Sequence, residues 1–172
     1  VFDGPGGSQR RRKLFPDYKK KRRTTKDRYN RRDDIDSDDN SKWQLSVILK
    51  LLEQLPITYL IVPSVEADDV ISVISNHLQK SNIYIMSTDK DFMQLIDERI
   101  SVWSPMKKRH YTIDRVKEEF GVHPNNFILQ KIITGDDSDC IPGIERFGAK
   151  TVNKYFPKLI EEQTYEIDNL FE

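Results

Sequence analysis

Apolar residues along this chain fall into short blocks separated by charged and turn-forming stretches. Trp43, Val47, Leu51 and Leu55 recur every fourth position between a candidate N-cap, Ser41, and a stop, Pro56, which predicts an amphipathic helix. Residues 58–62 (TYLIV) form a continuous β-rich run and predict a buried strand. Residues 66–80 predict a helix with Val70, Ile74 and Leu78 on one face. Residues 83–86 (IYIM) predict a second buried strand, 91–96 a short helix, and 100–103 a third strand. Helices follow over 112–120, stopped by Gly121, and over 125–134; a Gly- and Pro-bearing hairpin spans 135–148, and a last helix covers 149–155. At the front, Val1-Phe2-Asp3 reads as a strand end running into the flexible turn Gly4-Pro5-Gly6-Gly7. Strands alternating with helices imply an α/β fold, a parallel sheet covered on both faces, with a small helical unit in the last quarter. There is no internal repeat.

Length and composition bound this picture without changing it. A chain of 172 residues with 37% hydrophobic content can bury one ordinary core. No apolar run approaches the roughly 20 residues that span a bilayer, and nothing resembles a secretory signal. The single cysteine, Cys140, excludes an internal disulfide framework and fits a reducing compartment. The chain opens on Val1 inside an apparent strand, as a fragment or a trimmed product would.

Charge changes the picture more, because a net charge of zero hides a strong asymmetry. Residues 8–32 hold 13 Lys/Arg against Asp17 and Asp27, and residues 33–39 (DDIDSDD) then hold five acids and no base. The basic stretch lacks a continuous apolar stripe, so it is helical at most and mobile when unbound. A basic arm beside an acidic body suits a protein that holds a polyanion with one part and metal ions with another.

Three acidic groups carry candidate chemistry: Glu66-Ala67-Asp68-Asp69, Asp89-Lys90-Asp91 and Asp136-Asp137-Ser138-Asp139, with Asp3 as a single fourth member. Each alone has an ordinary reading, since acids in the first turn of a helix cap N–H groups and suit the macrodipole. Their placement favours another. Asp3 and Asp89 lie at predicted strand ends and Glu66 follows a strand closely, and that edge of an open parallel sheet is where sites are built. Converging carboxylates repel unless cations neutralise them, and all-oxygen ligands without His or Cys select magnesium or manganese. Two such ions roughly 4 Å apart serve in-line phosphodiester hydrolysis.

Two other motifs fail. Asp34-x-Asp36-x-Asp38 begins like a calcium loop, but Asp39 stands where glycine is needed and Leu45 where the bidentate glutamate belongs. Gly143-(x)4-Gly148-Ala149-Lys150-Thr151 resembles a P-loop with one residue too many before the lysine and no strand leading in. The same glycine turns, at Gly143 and at Gly148 with Lys150, suit a DNA-backbone clamp that holds phosphate through main-chain N–H groups; an ordinary helix–turn–helix connection is the alternative.

Taken together, Val1-Phe2-Asp3-Gly4, residues 15–22 (FPDYKKKR), Glu66-Ala67-Asp68-Asp69, residues 87–91 (STDKD) and residues 135–143 (GDDSDCIPG) resemble the 5′-nuclease or flap-endonuclease family. That family includes phage 5′→3′ exonucleases and the 5′-nuclease domain of bacterial DNA polymerase I. The order and spacing match from residue 1 to about 156. The resemblance implies a PIN-like parallel sheet flanked by helices, with a basic helical arch at about 8–40 inside a nuclease core (1–120) and a helix–three-turn–helix DNA-binding region (121–172). It implies that Asp3, Glu66, Asp68 and Asp69 serve a first metal site and Asp89, Asp91, Asp136 and Asp139 a second. Two magnesium ions, with manganese as a substitute, are the implied cofactors, and a potassium ion at the helix–three-turn–helix is compatible with them. Lys19 and Arg22 match the basic pair that holds the scissile phosphate, Tyr18 is placed to stack on a terminal base, and Arg10 and Arg11 line the arch.

The implied activity is structure-specific 5′→3′ exonuclease and flap cleavage in replication and repair, by a monomer in the cytoplasm of a bacterium or phage-infected cell. DNA with 5′ ends or flaps is the implied partner, with RNA–DNA hybrid also admissible. The family carries an earlier strand with a further ligating aspartate, which the resemblance leads one to expect ahead of Val1, and it usually continues with more helix, so the C-terminus is expected to be short as well; Cys140 replaces a common asparagine. Two alternatives stand beside the nuclease: a catalytically incomplete DNA-junction binding module, and a PIN-type ribonuclease, which would not need the residue 135–143 hairpin.

Overall fold

A computed structural model describes residues 1–21 and 37–170. The chain divides into two compact units, Val1–Val70 with Ser138–Cys140, and Ile71–Asp137 with Ile141–Glu172. The division falls inside one helix, α3 (Ala67–His77). Among the described residues no helix is long and apolar enough to cross a membrane.

In the first unit, Phe2 pairs with Ile61 in a single parallel bridge, with Phe2 N–H donating to the Leu60 carbonyl (3.0 Å). The buried strand expected over 58–62 reduces to this one rung, and Leu60 and Val62 are exposed. The physical reason lies in its partner: the extended stretch ahead of Gly4 gives way at once to a turn, where Pro5 has no N–H to donate. Gly4 sits so close to the neighbouring chain that a Cβ there would lie 1.7 Å from the Val62 carbonyl oxygen. Among the described residues this unit also carries α1 (Gln9–Leu14), α2 (Ser37–Leu52) and the start of α3. Helix α2 starts ahead of the expected cap, so Ser41 is helical rather than capping, and it ends before Leu55 and Pro56. Its first turns include Asp39, which pairs with Lys42 one turn on (3.0 Å). Trp43 and Leu51 are exposed, so the predicted apolar stripe is not buried.

The second unit holds the core. Strand β1 (Ile83–Met86) pairs in parallel with β2 (Ile100–Ser104), Ile83 opposite Ile100 and Ile85 opposite Val102. Strand β3 (Arg109–Tyr111) then returns antiparallel to β2 with Tyr111 opposite Val102, making a small mixed sheet in the order β1-β2-β3. The parallel pairing expected from the sequence holds between β1 and β2, and β3 adds an antiparallel edge. Period-2 geometry sends Ile85, Ile100, Val102 and Tyr111 into the core, where they are almost wholly buried. It sends Tyr84 and Met86 outward, so β1 is half-buried rather than buried on both faces.

Helix α4 (Ile113–Phe120) follows Thr112 and stops at Gly121, whose φ of 71° is the left-handed conformation that glycine adopts without strain. A short 3-10 turn (Pro124–Asn126) leads into α5 (Phe127–Thr134), and α6 (Ala149–Tyr155) closes the unit, as the sequence pattern predicts. Phe120 meets Phe127 edge-to-face at 5.3 Å, and Val116, Val122, Val152 and Leu159 are fully buried around them. Asn126 is fully buried too. Its amide nitrogen shares two protons among the carbonyls of Leu159, Glu161 and Gln163 (2.9–3.2 Å), and its oxygen accepts from the N–H of Tyr165 (3.0 Å).

His123 starts the 3-10 turn, and its Nδ1 accepts from the N–H of Asn125 (3.2 Å). Burial, assisted by the charge of Lys117, lowers its pKa below the ordinary value near 6.5. The unfolded chain therefore takes up this proton at higher pH than the folded one, and stability falls as pH drops through the unfolded value toward the folded one. Thermal unfolding between about pH 7.5 and about pH 5.5 should show that decline, and His123→Asn, which keeps a capping acceptor, should flatten it.

Candidate functional site

Two clusters of carboxylates, one in each unit, are built differently. In the first unit the backbone after Ile61 places Glu66 immediately before α3, and Asp3 Oδ1 accepts from the N–H of Ala67 (2.8 Å). The strand-end aspartate thus caps the helix that carries Asp68 and Asp69 in its first turn. A cap uses one carboxylate oxygen of two, so capping and metal binding are compatible at Asp3.

Glu66 is 3% exposed, and three residues of the basic stretch converge on it. Lys19 Nζ donates to Oε1 (2.5 Å), Tyr18 Oη donates to Oε2 (3.1 Å), and Arg11 also donates to Oε2. The same guanidinium forks onto both oxygens of Asp69 at 2.7 and 2.9 Å. Burial opposes the charge on Glu66, but the Lys19 and Arg11 cations outweigh it and hold its carboxyl below the ordinary range. Burial likewise opposes the Lys19 charge, and Glu66 and Tyr18 reverse it, so the ammonium is held more firmly than usual. Burial drives the Tyr18 phenol up to about 12. Tyr18 is itself buried, with Lys19 Nζ 4.8 Å from its ring centroid. Lys19 has φ 55°, and its N–H donates to the Asp139 carbonyl (3.1 Å), so main-chain contacts also fix this corner. Asp139 is buried, and Cys140 after it is left-handed with φ 62°. Asparagine tolerates that region better than most residues, so the backbone here is compatible with the asparagine expected from the family resemblance.

In the second unit, Asp89 ends the loop after β1 and caps a 3-10 helix (Lys90–Leu95) by accepting from the N–H of Asp91 (2.9 Å). Asp91 and Asp136 bring carboxylate oxygens within 4.8 Å of each other. Lys131 of α5 joins them, donating to Asp91 Oδ1 and to Asp136 Oδ2 (2.7 Å). Two like charges held so close, with only oxygen donors, fit a hard divalent cation.

The hairpin after α5 places Asp136. Its N–H and carbonyl pair with Ile141 at 2.8 and 2.9 Å, and Gly135, with φ 73°, turns the chain into it. Gly143 has a structural reason of its own: a Cβ there would lie 2.2 Å from the Thr134 carbonyl. Around Gly148, by contrast, a Cβ would meet nothing within 4 Å. Gly143→Ala should therefore cost about 3 kcal/mol and speed hydrogen exchange at the Ile141 amide, whereas Gly148→Ala should stay within about 0.5 kcal/mol. Equal effects in urea unfolding would contradict this account.

The residues predicted for the site are thus distributed. Asp3, Arg11, Tyr18, Lys19, Glu66, Asp68, Asp69 and Asp139 belong to the first unit, and Asp89, Asp91 and Asp136 to the second. Arg10 and Lys150 are exposed, and Arg22 lies outside the described residues, as do residues 22–36 of the arch expected over about 8–40. Lys131 is the site residue that sequence reading misses. A lone charge within the otherwise apolar run of α5 is the signal that would have found it.

Comparison with known proteins decides the family. A family model described as 5'-3' exonuclease, N-terminal resolvase-like domain, matches residues 1–121. The chain belongs to the 5′-3′ exonuclease family. It is 35% identical over 153 residues to a 5'-3' exonuclease of Aquifex aeolicus, a match covering 88% of this chain and 48% of that protein. A solved structure of a bacteriophage T5 protein co-crystallised with metal ions superposes with a TM-score of 0.74 at 25% identity, covering 93% of this chain and 60% of that one. A second, of the bacteriophage T5 flap endonuclease in a pseudo-enzyme-product complex with DNA and metal ions, superposes with a TM-score of 0.69 at 25% identity, covering 94% and 58%. The α/β fold of this exonuclease-family chain is the PIN-like fold of those structures. The chain spans about half the length of the curated relatives it matches.

Proposed function

We propose that the protein is a structure-specific 5′→3′ exonuclease and flap endonuclease that hydrolyses DNA phosphodiesters with two divalent metal ions, magnesium in the cell. The observation that carries this reading is the approach of the Asp91 and Asp136 carboxylates in a chain of this family, whose phage T5 relative is complexed with DNA and metal ions. Asp3, Glu66, Asp68 and Asp69 would hold one ion and Asp89, Asp91, Asp136 and Asp139 the other. When bound, such ions activate a water and stabilise the leaving oxygen of an in-line displacement. The chain's own residues do the rest. Lys19 and Arg22 hold the scissile phosphate, and Lys19 is already fixed at the carboxylate edge by Glu66. Arg11 and Tyr18 orient Glu66, and Arg10 with the remaining basic residues guides the 5′ strand. Gly143, Gly148 and Lys150 are assigned to the duplex backbone. This reading keeps the core at 1–120, the DNA-binding region at 121–172, and a setting in the cytoplasm of a bacterium or an infected cell.

The test is cleavage of a 5′-flap duplex by the whole protein with magnesium, beside the same reaction in EDTA and with Asp89→Asn. Cleavage that needs the metal and is lost in the variant supports the nuclease. Tight binding with no cleavage would instead leave a DNA-junction binding module, and preferential cutting of structured RNA would favour a ribonuclease. Affinity for the flap should fall steeply with salt if the basic stretch contacts several phosphates, and a flat response would remove that role from it.

A further inference from the structure

Lys131 is out of place by composition. It sits on α5 within the run Phe-Ile-Leu-Gln-Lys-Ile-Ile-Thr, between the buried Leu129 and Ile133, and its own side chain is only 20% exposed. Long charged side chains on such helices ordinarily carry the head into water. This one keeps its ammonium on two carboxylates from different elements, Asp91 of the 3-10 helix Lys90–Leu95 and Asp136 of the hairpin after α5. The helix ends at Thr134 and Gly135 turns the chain, which brings Asp136 back to the lysine five residues earlier. Position near a helix C-terminus adds a favourable dipole for a cation.

We propose that Lys131 is a built-in counter-cation for the Asp91–Asp136 pair, holding the two carboxylates together until a divalent metal ion takes its place. The inference rests on the metal reading above and adds a specific role for a residue that reading does not use. An ammonium is a compact point charge on a flexible four-carbon stem, so it can neutralise the pair and still withdraw as the stem rotates. An arginine fork would be held by its planar geometry and withdraw less readily. A divalent ion offers the same oxygens twice the charge. Lys131 thereby weakens metal binding while removing carboxylate repulsion from the metal-free fold.

The experiment is a titration with Mn²⁺ alone, by calorimetry, of the 172-residue chain and its Lys131→Met variant, with thermal unfolding in EDTA and at saturating Mn²⁺. Asp91→Asn identifies the binding event that belongs to this pair. The expected result is Mn²⁺ affinity about tenfold tighter in Lys131→Met, since a like charge within a few ångströms has gone. The variant should also unfold roughly 2–8 °C lower in EDTA, a deficit that saturating Mn²⁺ removes. Should Lys131→Met not fold in EDTA, Lys131→Gln takes its place, with the same direction expected. Unchanged or weaker affinity, or a deficit of equal size with and without Mn²⁺, overturns the proposal and leaves Lys131 a purely structural residue. Mn²⁺ binding that Asp91→Asn does not alter overturns the metal reading of the pair, and the counter-cation with it; loss in Asp91→Asn without gain in Lys131→Met overturns the counter-cation alone.

Discussion

Asp136→Asn in the whole protein is expected to lower flap cleavage about a thousandfold, roughly 4 kcal/mol of transition-state stabilisation, while flap binding changes little. The substitution is nearly isosteric, and the main-chain pair that holds residue 136 to Ile141 does not involve its side chain. What changes is the donor set. An amide offers one neutral oxygen where the carboxylate offers charge, so on the proposed metal reading a hard divalent ion would lose most of its reason to sit beside Asp91. Single-turnover cleavage with saturating enzyme separates this from weakened substrate binding. Retention of activity within tenfold would remove Asp136 from the metal centre.

Glu66→Ala is expected to produce the largest loss of stability in the first unit, about 3–5 kcal/mol, out of the roughly 5–15 kcal/mol that holds a domain of this kind. The carboxylate is nearly inaccessible, and its removal leaves the Lys19 ammonium, itself 12% exposed, with no anion where Oε1 had been. Lys19→Met should cost less, because Arg11 and Tyr18 still serve Glu66. The double variant Glu66→Gln with Lys19→Met should cost less than the sum of its single changes, as two charges removed together leave neither unpaired. Urea unfolding of the parent, Glu66→Gln, Lys19→Met and the double variant measures the coupling; strict additivity would mean that the pair contributes nothing as a pair. The depressed carboxyl of Glu66 gives a sign as well. Its contribution is present at all pH values above the ordinary carboxylate range, and is lost as pH falls through the folded value, lower than 4.5.

Much of the second unit is legible in the sequence for local reasons. Gly121 and Gly135 stop their helices through a left-handed φ that few other residues accept, and the apolar runs at 83–86 and 100–103 declare themselves without long-range information. Strand β3 is not legible, because Arg109-His110-Tyr111 is too short and too polar to announce a strand. Its ladder is secured by β2 and by Glu119, which draws Lys107, Arg109 and the Tyr111 hydroxyl together and has its own carboxyl held down to about 2 against the opposing effect of burial. The first unit departs furthest from expectation. Strand 58–62 needs partners that an apolar pattern cannot supply, and the stripe on α2 needs a surface to cover it.

The site divides along the same line. Acidic motifs show which residues can ligate, since their chemistry is written in residue type. They do not show that Arg11, Tyr18 and Lys19 would neutralise Glu66, because those contacts join positions 47 to 55 residues apart. Nor does any motif mark Lys131, whose role depends on a turn that returns the chain toward its own helix.

Asn126 shows how tolerance to change can be built into a fold. Everything it holds in the segment from Leu159 to Tyr165 is main chain, so the identities of Glu162 and Gln163 do not enter the contract. Lineages can vary those side chains without loosening the segment, but an inserted or deleted residue would slip all four contacts out of register at once. Drift here is permissive in spelling and strict in length.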